Sequence, residues 1–461
     1  MNLVTHKAAL PYLSQEPRRQ ARRKFRAGAP CCVKSFPQCG KVLGAGYGAT
    51  GRRGGGQRGE RVNRKGVGDA FIIIWYSFVV QGKACVMKKF LMVLVVAGCA
   101  GVAARAGLPE ELAAEVKLAQ ARGVAWVLAQ QQHNGYWGSP EAPAMTALAM
   151  QALNQTAPET ALAAINRAMV FILTNVHPDG SIWREPSMAR RGGGLANYNT
   201  AICMTALHDL KRPELVPVVQ NARAYLAKVQ YLDGGNYHGG MGYDAETDRA
   251  YADLSNSYMA YEAMRLTQDV EDLRASGEAR ADLDWAAARQ FLAQVQNLPG
   301  VNTNAYASDR EEDRGGFSYS PGAGASVTNE EGKVMLRSYG SMTYAGLLAL
   351  IYAEVDADDA RVKSARDWTI RHWSLEENPG MGQEGLYYFF NVLTKSLRAA
   401  GDDVLTLADG RTITWREEVA RKLVELQRPD GSWVNDNNRW WEADPNLVTA
   451  YTLLALAAAA Q

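Results

Sequence analysis

The chain has 461 residues, 47% hydrophobic and 21% charged, with a formal net charge of +2. These proportions suit a globular protein and exclude a collagenous, disulfide-scaffold or wholly disordered chain. No second long apolar run follows the one near residue 90, which excludes a polytopic membrane protein.

The charge is a cancellation. Residues 1–86 hold sixteen Lys/Arg against three Asp/Glu, a net +13, together with thirteen of the 43 glycines. Such a segment cannot bury enough apolar surface to offset its ordering entropy. Its apolar stretch over 71–80 is ten residues long, too short to span a bilayer. Met87-Lys88-Lys89 then opens a second N-terminus, followed by the apolar run 90–96 and by Ala104-Arg105-Ala106, a small-x-small cleavage site. That is the layout of a secretory signal peptide over 87–106. A signal is read at the start of a chain. The expectation is therefore that translation begins at Met87 and that 1–86 is a mis-assigned or disordered basic extension. The mature protein is expected to be exported, either periplasmic or secreted. Val96-Ala97-Gly98-Cys99 also resembles a bacterial lipobox, in which a lipid on Cys99 would tether the protein to a membrane surface. The two processing readings stay open.

Residues 107–461 form one acidic domain with a net charge of −14. Nucleic acid drops out as a partner. After cleavage only Cys203 remains, which excludes an internal disulfide and a thiolate metal cluster. It sits in Ala201-Ile202-Cys203-Met204 and reads as a small buried hydrophobe. The histidines at 133, 177, 208, 238 and 372 show no metal-ligand spacing, so neither metal nor other cofactor is expected.

A phrase recurs along this domain. A helix carrying a small residue, an aromatic and an aliphatic ends on Gln. A Gly-rich turn closes on an aromatic, and a second, more apolar helix follows. The first copy reads Gly123, Trp126-Val127, Gln131 and Asn134-Gly135-Tyr136-Trp137, with a second helix from Met145-Thr146. Its first helix is predicted to face inward with Leu112, Val116, Ala119, Gly123 and Trp126. Next come Asp179-Gly180-Ser181-Ile182-Trp183, Gly239-Gly240-Met241-Gly242-Tyr243, Gly315-Gly316-Phe317-Ser318-Tyr319 and Gly385-Leu386-Tyr387-Tyr388. Tyr387, Phe390, Thr394 and Leu397 share one helical face. Thr414 to Glu417 reads as a capping box, opening a helix with Trp415, Val419, Leu423 and Leu426 on one face. The last copy is Gln427, then Asp430-Gly431-Ser432-Trp433, with a helix from Leu447. Anchors at 137, 183, 243, 317, 387 and 433 leave room for one helical hairpin in each interval. Strand-period alternation is absent. About twelve helices, the second of each pair more apolar, predict an all-α fold. The expected architecture is an α/α toroid, with inner helices around a central cavity and outer helices sheathing them.

The pattern of Gly123, Trp126, Val127, Gln131, Gly135 and Trp137, and of Gln427 to Trp433, resembles the QW repeat of the squalene–hopene cyclase and prenyltransferase families. The resemblance covers nearly all of 107–461. It implies a cavity that binds an apolar or isoprenoid-like small molecule between aromatic walls, where a carbocation is stabilised by ring faces. Ten of the eleven Trp lie in this domain.

The reaction motifs of these families match only in part. Where the cyclases carry an Asp-x-Asp-Asp acid, this chain reads Asp253-Leu254-Ser255-Asn256, so only the first carboxylate matches and Asp253 is the candidate acid. Asp356-Ala357-Asp358-Asp359 has the right letters but precedes an outer helix, where acids cap the N-terminus. The zinc set of the prenyltransferases is not met, since Ser255 stands where Cys is required. Three groups are candidates for the cavity mouth. One is Asp253 with Asn256 and Tyr243. Another is Glu384 with Tyr387 and Tyr388. The third is Arg439-Trp440-Trp441-Glu442, read either as a stacking wall with a carboxylate beside it or as a packed loop holding an Arg439–Glu442 ion pair. Tyr339, at the start of an inner helix, joins the candidate ligand-binding residues. A non-catalytic binding or scaffold module and a carbohydrate-active lyase or hydrolase are the competing classes for this ring.

Overall fold

The computed structural model describes residues 107–187, 194–244 and 251–461. The basic extension, the signal segment and Cys99 lie outside the described residues. The described chain holds twelve α-helices. The outer set is α1 (Glu110–Gln130), α3 (Leu162–Leu173), α5 (Val216–Val229), α7 (Trp285–Val295), α9 (Ala360–Arg371) and α11 (Trp415–Glu425). The inner set is α2 (Pro143–Thr156), α4 (Ala196–Asp209), α6 (Leu254–Leu266), α8 (Gly340–Tyr352), α10 (Leu386–Ala400) and α12 (Pro445–Ala460).

Each inner helix packs on the next, from α2 round to α12, and α12 packs back on α2. The ring is closed, and the fold is an α/α toroid. Burial separates the two sets. On α12 every residue from Leu447 to Ala459 is buried, whereas on α9 only Val362, Ala365, Trp368 and Thr369 are. A helix apolar all round needs neighbours on every side, which only the inner ring supplies. Cys203 lies on α4 and is fully buried.

The repeat is a clamp between adjacent hairpins. Gln131 Nε2 donates to Gly135 O at 2.9 Å in its own turn and to Ala164 O at 2.9 Å on the next outer helix. Gln230, Gln296 and Gln427 do the same, and Gln427 reaches Ala119 O on α1 at 2.8 Å, closing the ring. The turn glycine is required by proximity. At Gly239, with φ of 92°, a Cβ would lie 1.9 Å from the carbonyl oxygen of Ala287.

The second half of the clamp corrects the anchor register. The residue two after the turn glycine is fully buried and donates its backbone N–H to a hydroxyl on its own inner helix. These pairs are Trp137 to Thr146, Ile182 to Thr200, Met241 to Ser257, Phe317 to Thr343 and Trp433 to Thr449, at 2.8–3.2 Å. Trp183 and Tyr243 are therefore not the anchors. Any apolar side chain fills that slot, so the aromatic is not its defining feature. In the fifth hairpin Tyr387 lies within α10 itself.

Two further local expectations change. Thr414 ends the short antiparallel ribbon formed by β3 (Val404–Thr406) and β4 (Thr412–Thr414), and its side chain makes no capping bond. A second ribbon, β1 (Ser326–Thr328) with β2 (Val334–Leu336), occupies the long connection before α8. Asp359 does cap α9, accepting the N–H of Arg361.

Candidate functional site: an aromatic cavity at the inner-helix N-termini

A cavity of about 310 Å³ opens where the N-terminal turns of the inner helices converge. Its position follows from the clamp. The anchoring hydroxyl points outward to its turn, and residues two before or two after it lie about 200° round the helix, facing the axis. Of those positions, Ala144 and Leu148 on α2, Tyr198 on α4, Ser255 and Met259 on α6, Ser341 on α8, and Leu447 and Tyr451 on α12 line the cavity, while Ile202 on α4 and Ala345 on α8 do not. Met145, Met342, Tyr243, Tyr319, Tyr339 and Tyr388 complete most of the wall, and Trp440 and Trp441 form part of the rim.

The tyrosines are organised. Tyr388 OH bonds Ser255 Oγ at 2.9 Å, and Tyr243 OH bonds Tyr319 OH at 3.2 Å. The Tyr388 and Tyr451 rings meet edge to face with centroids 6.1 Å apart. Burial pushes the phenols of Tyr243, Tyr319, Tyr339 and Tyr388 above the usual tyrosine range. They stay protonated and present uncharged rings and O–H donors.

Of the residues predicted for the site, Tyr243, Tyr339, Tyr388, Trp440, Trp441 and Glu442 line the cavity, while Asp253, Asn256 and Tyr387 do not. Asp253 is fully buried behind the wall. Its Oδ1 accepts the N–H of Asn256 at 2.8 Å and its Oδ2 the amide of Asn256 at 2.7 Å, capping α6. Burial pushes its carboxyl up to about 6, with opposing hydrogen bonds from Asn256, Tyr319 and Tyr251. Tyr387 packs edge to face on Phe390, 5.8 Å away.

Glu442 has a partner other than Arg439. Its carboxylate accepts Tyr388 N at 2.7 Å, Tyr387 N at 3.3 Å and the Asn435 amide at 2.7 Å, so it caps α10. Burial raises its pKa, and these bonds hold it down. Arg439 instead lies 4.0 Å from Glu384 and over the Trp440 ring at 5.2 Å. Trp440 and Trp441 have φ of 53° and 67° and are 46% and 43% exposed. Consecutive left-handed tryptophans carry backbone strain, and the buried Glu442 that follows them anchors the segment to α10.

The other inner helices are capped by the protein as well. Asp244 accepts Ala196 N on α4, Asp444 accepts Asn446 N on α12, Asn199 accepts Ala144 N on α2 and Asn378 accepts Ser341 N on α8, at 2.7–2.9 Å. Helix N-termini are ready anion sites. Here all six are already taken by side chains of the chain itself.

The sequence reading missed Tyr198, Tyr319, Tyr451 and the methionines. For Tyr198, Met259 and Tyr451 the signal was present in their spacing two positions from the inner-helix hydroxyl, but it needed the anchor register to be read; Tyr319, Met145 and Met342 lie off that spacing. No metal-holding group of His, Cys, Asp or Glu occurs among the described residues.

No protein-family model matches the chain, and no curated protein does. Solved structures similar to it include the type II terpene cyclase MstE from Scytonema, at 13% identity and a TM-score of 0.44, covering 76% of this chain and 98% of that one. The GH76 α-mannanase of Bacteroides thetaiotaomicron has 10% identity and a TM-score of 0.47, covering 75% and 98%. A protein from Actinoplanes has 16% identity and a TM-score of 0.38, covering 75% and 100%. Likenesses this weak carry no argument about chemistry, and the closed ring rests on its own helix contacts.

Proposed function

We propose that this is an exported ring protein whose mouth cavity binds an apolar or isoprenoid-like small molecule. One observation carries the reading: the wall is built from tyrosine and tryptophan rings with Met145, Leu148, Met259, Met342 and Leu447, and its volume is that of a small-ligand pocket. Methionines adapt to irregular apolar shapes, and the phenols and indoles add flat faces with a few donors. Among the described lining residues Glu442 is the one acid, and its oxygens are occupied in capping α10. Glycoside hydrolysis needs two carboxylates flanking the bond, an arrangement this lining does not favour.

Asp253 serves the site from behind as a positioning residue. Its carboxylate orients Tyr319, which in turn bonds Tyr243 at the wall. Asp253 does not line the cavity and both its carboxylate oxygens are engaged in capping α6, which disfavours a role in alkene protonation. Ligand capture is therefore the function the geometry supports best. In this reading residues 107–461 are the working domain, and Cys99 is either lost with the signal or lipidated.

The test is titration of the purified protein with farnesol, read by tryptophan fluorescence. The expected result is a saturable change that is lost in a Trp440→Phe, Trp441→Phe double variant. Competition by an unlabelled isoprenoid hydrocarbon should displace it. A signal that neither saturates nor depends on these two tryptophans counts against the reading.

A further inference from the structure

A second, smaller chamber of about 20 Å³ lies deeper on the ring axis. It shares Leu148, Met259 and Tyr451 with the mouth cavity, so those three side chains are the partition between them. Its lining is of another kind, with Gln151, Thr205, Asn391, Glu262 and Lys395. Lys395 Nζ lies 3.0 Å from Glu262 Oε2, and Tyr352 OH donates to Glu262 Oε1 at 3.2 Å. Glu262 is largely buried and Lys395 partly so. Glu262 and Lys395 each follow a mouth residue, Ser255 and Tyr388, by seven positions on the same helix, which places them about 10 Å further down the axis.

We propose that the ligand is an uncharged amphiphile, an apolar chain ending in a hydroxyl, with its body in the mouth cavity and its hydroxyl at the Glu262–Lys395 pair. The proposal rests on the apolar-cavity reading and narrows it. Three observations support it. A hydroxyl both donates and accepts, so it can insert between a carboxylate and an ammonium and satisfy each. The deep chamber exceeds the 10–15 Å³ or so that one water needs, so it admits a group of hydroxyl size, while a phosphate is several times larger. Finally, the charged residues among the described lining of the two chambers are Glu442, Glu262 and Lys395, a net negative set whose one cation is neutralised. Arg439 lies outside that lining, over the ring of Trp440. The six inner-helix N-termini, which elsewhere greet phosphates, are filled by Asp244, Asp253, Glu442, Asp444, Asn199 and Asn378. A diphosphate finds no space in the deep chamber and no uncompensated cation in the lining of either chamber.

The experiment compares farnesol, farnesyl diphosphate and the hydrocarbon farnesane on the full chain by the same fluorescence titration. Farnesol is expected to bind at least tenfold more tightly than the diphosphate and several-fold more tightly than farnesane. Lys395→Met should bring farnesol down to the level of farnesane, with the helical circular dichroism spectrum and a cooperative melt as the check that the variant is folded. Diphosphate binding as tight as farnesol in the unaltered protein overturns the inference. So does equal binding of farnesol and farnesane with no effect of Lys395→Met. Binding of none of the three overturns the apolar-cavity reading itself.

Discussion

Asp253 is ionised at neutral pH in a place that opposes its charge. Its carboxyl is raised from 3.8 to about 6 by burial. A folded-state pKa above the unfolded one means that the native state binds the extra proton. The protein is therefore favoured below about pH 4 at this group, and that contribution fades as pH rises through 6. The shift corresponds to about 3 kcal/mol. Asp253→Asn removes the titration. Urea denaturation of both proteins from pH 4 to 7 should show the wild type losing stability relative to the variant across that window. Parallel pH profiles contradict the assignment. Glu442 is the companion case. Glu442→Ala leaves the Tyr387 and Tyr388 N–H groups without their acceptor and unpins the strained tryptophans, with an expected cost of about 1–3 kcal/mol in a thermal melt and a redder Trp emission. Both acids were legible as chemically notable residues, but their roles as caps were only half so. Asp253 caps the helix it precedes, which spacing can show. Glu442 caps a helix that begins 56 residues earlier, which the packing of α12 beside α10 brings near.

At the scale of elements, the hairpin is specified by contacts that alternate between local and remote. The periodic faces of α1, α10 and α11 were readable because burial of one stripe is imposed by sequence alone. On α1 the structure buries Val127 where Trp126 was expected, with Trp126 left half-buried. The anchor register was not readable from aromaticity, because Ile182 and Met241 fill the slot as well as Trp137 does. The turn glycines carry the sharper constraint. Gly239→Ala forces a Cβ onto the Ala287 carbonyl and strains a left-handed residue, with an expected loss of roughly 3 kcal/mol by chemical denaturation. Gly277→Ala, also at positive φ but with open space around it, should cost only about 1–2 kcal/mol. Equal losses at the two sites would remove the clamp from the account.

At the largest scale, the described residues form a ring closed by its first and last hairpins. Gln427 bonds Ala119 O, Arg122 bonds the carbonyls of Arg428 and Pro429, and Gly123 lies against the Trp433 ring. Removing α1 should therefore expose the α11 and α12 faces and raise binding of a hydrophobic dye, with loss of a single cooperative melting transition. Ring closure was legible because an open stack of six hairpins would expose its two ends, whereas a closed ring would not. The cavity chemistry was less legible, since its wall draws one to three residues from each of six helices spread over some 300 positions. The central claim is that this wall holds an apolar ligand. Native mass spectrometry of the protein purified without detergent, followed by solvent extraction, tests it most directly. The account predicts a stoichiometric adduct that extracts as an uncharged, chain-like apolar molecule and is diminished by the Trp440→Phe, Trp441→Phe double variant. A protein that carries no adduct and takes up none when farnesol is supplied contradicts it.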